Sequence, residues 1–475
     1  MPTKKLEFSY RYYLCFLLYL NTDMLQLPNQ FIQSISCCKG FEEDAFIEAH
    51  QTPSPTSIRI NPFKPTILNF QLNRQVLWNE KGFYLEERPN FTHDILFQAG
   101  CYYVQEAGSM FIEYALKSVV DFNESLITLD LCASPGGKST LLNSLLNNQS
   151  VLVANEVAKQ RADVLCQNIT KWGTSNVVVT NNDPAAFADM EQVFDVILVD
   201  APCSGSGLFR KQHDAVDEWS LDNVNLCSSR QKRILADIIG SLKDNGVLVY
   251  STCSYSEQEN EEIADWLVAE FNLESVTIAM PSEWGIVETT GKINQSRGYR
   301  FYPHKTESEG FFCSVFKKKT INEFNRSSKK VKHETFTPIK PKEKELFSAW
   351  LDNINESEII KFKDDYLLTN TLTLEFINRY PKLYLKKVGT TIGSLIKDEL
   401  IPHHDLALSI HLSKHIQAIV CEEAEALSFF KKNLQQVDGS KGWNLMTFKG
   451  FGLGWIKHLG NRINNYLPNE FRILK

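Results

Sequence analysis

At 475 residues, 43% of them apolar and 23% charged, the chain is long enough for two or three globular domains and is unlike a disordered, collagenous or membrane-embedded protein. A formal net charge of −7 excludes a uniformly basic nucleic-acid binder, so phosphate contacts must come from local patches. Eleven cysteines without a C-x-x-C pair or zinc-like Cys/His spacing argue against a metal site or a disulfide framework, and fit free thiols in a reducing cytoplasm.

In chain order, Tyr12–Leu20 is an apolar run behind Lys4, Lys5 and Arg11. It is too short to span a bilayer and has no small-x-small cleavage site after it, so residues 1–23 are expected to be a leader outside the fold. Residues 24–120 read as a small α+β N-terminal domain. Within it, Ser57–Lys64 is a strand stopped by Pro62, and Arg59 and Lys64 bracket its end. They are candidates for phosphate contact, although as isolated cations they read better as solvated edge residues. Residues 121–320 carry a strand–helix rhythm. The strands are Ile127–Cys132, Val151–Asn155, Val177–Asn181, Val193–Val199 and Val247–Ser251, with helices Lys138–Leu146, Ala158–Trp172, Leu221–Leu242 and Gln258–Phe271 between them. Alternating βα units predict a doubly wound, mostly parallel sheet with helices on both faces. The run Gly310–Phe316 has no helix after it and is expected to close the sheet as an antiparallel edge strand. A basic linker is expected over 321–345, inside the stretch 317–345, which has ten basic against four acidic side chains. Residues 346–475 form a C-terminal region. Its last part, 441–475, has six basic side chains and one acid, and the aromatics of Gly450–Tyr466 face either RNA or one another.

The chemistry concentrates at the strand ends. Asp130–Ser139 follows the first strand and opens a helix, and its glycines would let a ligand approach the free N–H groups of the helix start. Gly137-Lys138-Ser139, with the apolar run into Asp200, mimics a nucleotide-hydrolase phosphate loop. That motif needs glycine where Cys132 stands, which puts a P-loop NTPase well behind. Glu156 ends the second strand about 20 residues past the glycines, where an acid accepts ribose hydroxyls. Asp183 ends the third strand, placed to accept from an adenine amine, and Asp200 ends the fourth. An acidic adenosine pocket suits a cofactor with positive charge and no phosphate, S-adenosylmethionine. Two neighbouring strands also deliver Cys203 and Cys253 to the same edge, with Asp200 beside them.

Cys132–Lys138, Asp200-Ala201-Pro202-Cys203-Ser204-Gly205 and Ser251-Thr252-Cys253-Ser254 resemble the signature motifs of the RNA (cytosine-5) methyltransferases, the Sun-type enzymes. Ile58–Pro62 resembles that family's N-terminal RNA-contacting motif, and Arg300–His304 with Glu309–Phe312 its last catalytic motif. The tail at Gly452–Tyr466 is similar to the RsmF-type subgroup, which modifies small-subunit ribosomal RNA and ends in a PUA-like module. Ser134, where the family often has alanine, and Gln212-His213-Asp214 after the basic pair Arg210-Lys211 depart from the pattern. The resemblance implies a Rossmann-like methyltransferase core and a PUA-like domain within 346–475. It also implies cofactor contacts from Cys132, Ala133, Ser134, Pro135, Gly136, Gly137, Lys138, Glu156, Asp183 and Asp200. DNA cytosine methyltransferases use a Pro-Cys nucleophile, which would point to Cys203. The RNA family uses the Thr-Cys cysteine, so the resemblance implies attack by Cys253, release assisted by Cys203, and proton donation to the base by a protonated Asp200. The substrate implied is small-subunit (16S) ribosomal RNA, with transfer RNA as the alternative within the same chemistry. A non-catalytic RNA-binding protein, the remaining alternative, would have no use for two cysteines beside a glycine loop.

Overall fold

The computed structural model describes residues 25–320, 335–352 and 354–474. The expected leader, and most of the expected linker, lie outside the described residues. Five parallel strands form the centre, in the order Leu242–Thr252, Phe194–Asp200, Ile127–Asp130, Val151–Asn155, Val177–Thr180. Their β-branched runs are buried on both faces, as strands covered by helices on both sides must be. The sequence order reverses at Ile127–Asp130. The loop after that strand therefore turns to one face and the loop after Phe194–Asp200 to the other, opening a crevice at their carboxyl ends.

The predicted parallel core is present, and the sheet extends beyond it on both sides. Phe311–Lys318 pairs antiparallel with Leu242–Thr252 as expected, but it is not an edge. Arg297–Phe301 and Val287–Thr290 continue the sheet outside it, and Leu273–Ser275 also pairs with it. A strand buried from Phe311 through Phe316 needs a cover on its outer side, and this hairpin supplies it. At the other end, Leu385–Val388 pairs antiparallel with Val177–Thr180, so the C-terminal region contributes a strand to the central sheet.

Two four-stranded sheets occupy the rest of the C-terminal region. One spans Glu358–Phe362, Asp365–Thr369, Thr390–Ile396 and Glu399–Pro402, and the other Ala418–Val420, Gly442–Phe448, Phe451–His458 and Ile463–Asn465. In the latter, Trp455 is buried against Trp350, while Tyr466 stacks edge-on against Trp443 and stays partly exposed. The N-terminal sheet, around Thr56–Ile60, shares one hydrophobic core with this last module: Ile58, Leu96 and Tyr102 cluster with Phe429, Met446 and Leu453. The helices Asn29–Ile35 and Glu43–His50 instead pack on Phe209, Trp219, Tyr255 and Tyr302 of the central domain.

Arg59 and Lys64 are neither phosphate contacts nor solvated edge residues. Arg59 is 1% exposed and lies against the Trp172 ring. It donates to the Gln105 and Thr140 side chains, to Ser144 and to the Gly137 carbonyl at the start of the glycine-loop helix. Burial lowers its pKa to about 10. Lys64 donates to the Ala99 and Lys171 carbonyls, and Asn61 donates to Gly100 and Trp172. The Lys171 and Trp172 carbonyls belong to the last turn of the helix Lys159–Trp172, so this motif caps a helix C-terminus.

Candidate active site

The glycine loop leaves its strand at Asp130, passes a cis Ser134–Pro135 bond and turns at Gly136, whose φ of 114° only glycine adopts without strain. Gly137 then begins the helix Gly137–Leu145. The neighbouring strand Val151–Asn155 and the helix Lys159–Trp172 after it hold the loop in place. Ala133 N–H donates to the Asn155 carbonyl, Asn155 Nδ2 to Leu131, Asn168 to Pro135 and Arg161 to Ser134. Ser139 Oγ donates to buried Asp130, whose other oxygen has no partner among the described residues. Burial outweighs that donor and raises the Asp130 carboxyl to about 7.

A cavity of about 330 Å³ opens beside the loop. Cys132, Ala133, Ser134, Pro135, Gly137 and Lys138 line one wall, and Asp200, Cys253 and Glu309–Phe311 the opposite one. Tyr103, Gln105 and Glu106 of the N-terminal region also line it. Lys138 Nζ reaches Asp200 Oδ2 at 2.7 Å, and Ser251 Oγ donates to Oδ1 at 2.7 Å. Burial works against the ammonium, but the charge and hydrogen bond of Asp200 outweigh it and raise the Lys138 pKa. Asp200 is thus engaged at both oxygens, by Lys138 and by Ser251. Both polar side chains of the phosphate-loop mimic are engaged within the site, Lys138 with Asp200 and Ser139 with Asp130.

The acids expected around the adenosine part separate. Glu156 is buried, caps Ala158 N–H at 2.9 Å and pairs with Arg161. Asp183 is half exposed, caps the turn at Ala185 and meets Arg233 at 3.4 Å. Both sit on the strand ends that sequence reasoning assigned them, and neither lines the cavity.

The two cysteines converge. Asp200 and Ser251 are register partners on adjacent parallel strands, so the loops after them start level. Cys203 Sγ and Cys253 Sγ lie 2.9 Å apart. The hydrogen bond to Cys253, reinforced by burial, raises the Cys203 thiol well above its usual range. Gly207 N–H donates to the Cys253 carbonyl at 2.8 Å, and Gly310 N–H donates to Gly207. A Cβ on Gly207 would stand 2.4 Å from the Gly310 carbonyl oxygen, so only glycine lets these loops touch.

Beneath the thiols is a layer that sequence reasoning missed. Glu259 accepts from Ser204 and Ser254, the residues following each cysteine. Burial raises its carboxyl against these donors. The only signal was the acidic run Glu257–Glu262, which reads equally well as the solvated first turn of a helix. Of the basic pair before Gln212, Arg210 is buried in an ion pair with Glu309 at 2.9 Å, while Lys211 is exposed.

Three family models match consecutive parts of the chain. They describe the N-terminal domain of 16S rRNA methyltransferase RsmF (residues 27–107), 16S rRNA methyltransferase RsmB/F (117–317) and the methyltransferase RsmF PUA domain (417–473). Ribosomal RNA small subunit methyltransferase F of Shewanella oneidensis is 30% identical over 469 residues, covering 94% of this chain and 97% of its own. That of Aeromonas salmonicida is 30% identical over 475 residues, covering 94% and 98%. A methyltransferase homologue from Pyrococcus horikoshii superposes with a TM-score of 0.53 at 29% identity, over 62% of this chain and 96% of its own. NSun6 from the same organism, solved with SFG, has a TM-score of 0.53 at 20% identity over 63% and 100%, a likeness of fold. The chain belongs to the RsmB/F family of 16S ribosomal RNA methyltransferases.

Proposed function

We propose that the protein methylates C5 of a cytidine in 16S ribosomal RNA, in the cytoplasm, through a covalent bond between Cys253 and C6 of the base. The observation that carries this reading is the pair of thiols 2.9 Å apart, beside a lysine–carboxylate pair and a glycine loop that share one cavity. The cofactor is S-adenosylmethionine, which supplies an electrophilic methyl group on a sulfonium. The cavity suits it: Glu106, Asp200 and Glu309 line it, its one lysine is already paired, and the loop offers backbone N–H groups.

Cytosine C5 is a weak nucleophile until a group adds at C6. Cys253, whose sulfur lines the cavity with Cys203 2.9 Å behind it, is the sulfur that adds once it is a thiolate. Lys138 supplies the donor for the electron-rich N3–O2 edge of the base, and Asp200 accepts from its exocyclic amine. After methyl transfer Cys203, as the thiolate, takes the C5 proton, and the electron pair of that C–H bond re-forms the C5–C6 double bond and expels Cys253 as a thiolate. The base can reach this site only unpaired or flipped from a helix.

Cys253→Ala is expected to abolish both methyl transfer and any protein–RNA adduct. Cys203→Ala is expected to accumulate an adduct that survives denaturing electrophoresis and disappears with ribonuclease. The opposite pattern makes Cys203 the nucleophile. Mapping 5-methylcytosine in RNA from cells with and without the gene tests the substrate, and loss of the mark from transfer RNA alone would move the assignment there.

A further inference from the structure

We infer that Glu259 is a positioning residue for the reaction, a buried carboxylate that clamps the Cys203 loop to the Cys253 loop and sets the distance between the two thiols. The inference rests on the two-cysteine mechanism proposed above and concerns how that pair is held.

Both loops begin where strand pairing ends. Ala201 N–H still donates to Ser251, but Pro202 cannot donate, and the ladder stops before either cysteine. Glu259 takes over at this point. One oxygen accepts the Ser204 N–H at 2.7 Å, from the peptide that follows Cys203, and the other accepts Ser204 Oγ at 2.6 Å and Ser254 Oγ. A single carboxylate thus holds the immediate neighbour of each sulfur. Gln231 adds a third strap, donating to Glu259 and to the carbonyl of Pro202, just ahead of Cys203.

The two residues after Glu259 brace the Cys253 side only. Asn260 accepts from Thr252 Oγ1 and donates to the Ser254 carbonyl, so it grips both flanks of Cys253. Glu261 is paired with buried Arg300, which donates to the Tyr255 carbonyl. Glu259 is the member of this run that reaches across to the Cys203 loop. It is 0% exposed and lies outside the cavity lining, so it acts through the loops rather than on a bound molecule. An ionised carboxylate is acceptor-only and matches four donors converging on it, which an amide at the same place would not.

The test uses the full-length protein with Glu259→Ala, Glu259→Gln and the double variant Ser204→Ala/Ser254→Ala, which leaves the carboxylate but removes its hydroxyl straps. Three quantities are read: S-adenosylmethionine affinity, single-turnover methyl transfer to 16S ribosomal RNA, and the rate at which diamide closes a Cys203–Cys253 disulfide, taking two electrons from the two thiols. Glu259→Ala is expected to keep cofactor affinity, to slow methyl transfer by roughly 100-fold, the cost of misplacing reacting groups by about 1 Å, and to slow disulfide closure in parallel. Glu259→Gln and the double variant should fall between it and the parent. Closure needs no RNA, so it reads the clamp even if the RNA substrate is misassigned. Unchanged closure rates would overturn the inference. So would a loss of methyl transfer that tracks cofactor affinity or melting temperature across all three variants, which would mark Glu259 as a general packing element. If Glu259→Ala does not fold, the double variant decides by the same two readouts.

Discussion

Asp200 and Lys138 show how a pair of side chains divides one role. The resemblance implies proton donation to the base by a protonated Asp200. Lys138 reaches one Asp200 oxygen at 2.7 Å and Ser251 the other, which makes the ammonium the donor proposed for the base. Lys138→Met is therefore expected to slow methyl transfer by about 100-fold or more, the usual worth of a positioned proton donor, without blocking S-adenosylmethionine binding. Unchanged single-turnover rates would return the donor role to Asp200. Asp130 offers a separate handle through pH. Its folded value of about 7, raised by burial against the pull of Ser139, lies above the roughly 4 of an unfolded chain. A carboxyl shifted upward favours folding most below its unfolded pKa, and that contribution is lost as pH rises through 7. Asp130→Asn does not titrate, so its stability relative to the parent should improve by about 2–4 kcal/mol between pH 5 and pH 8. Denaturant titrations at the two pH values check this, and parallel curves would show that the carboxyl is not perturbed.

At the scale of elements, the strand Thr56–Ile60 works as a clamp rather than an RNA surface. Arg59 grips the first turn of the glycine-loop helix, while Asn61 and Lys64 hold the end of the next helix. Arg59→Ala leaves buried acceptors unpaired and is expected to destabilise the protein by about 2–4 kcal/mol and to weaken cofactor binding. The slope of RNA affinity against salt should not change, because no phosphate contact is lost. A shallower slope with unchanged stability would restore the phosphate reading. Within the cofactor half, Glu156 is buried and Asp183 half exposed, so Glu156→Ala should weaken S-adenosylmethionine more than Asp183→Ala does, and calorimetric titration would show the order.

For the molecule as a whole, the C-terminal region is part of the catalytic domain's architecture. Leu385–Val388 pairs with the outer parallel strand, Asn370 donates to the Asn148 and Ser150 carbonyls, and Gly389 N–H donates to Val177. A chain ending at residue 345 would bare the edge of Val177–Thr180 and the apolar surface of Val178 and Phe194 that Val388 and Phe376 cover. It is expected to aggregate or lose cofactor binding, and a soluble, cofactor-binding fragment would show that the region is a detachable module.

The parallel core, the glycine loop, the acids at strand ends and the two cysteines were legible in the sequence because each is a local pattern. A β-branched run ended by a polar loop has few other solutions, and strand ends share one edge of the sheet. Which residues serve the reaction indirectly was not legible. Arg59, Arg210 and Glu259 are charged, and on composition alone each belongs at the surface. Each is buried because donors or acceptors from segments far apart in the chain converge on it: Gly137 and Thr140 on Arg59, Glu309 and Ser308 on Arg210, Ser204 and Ser254 on Glu259. The place of Phe311–Lys318 inside the sheet was hidden in the same way, since a strand's pattern records that both its faces are covered but not which strand lies beyond it. Burying a charge is tolerable only when its partners are already in place, and only the folded chain brings those partners together.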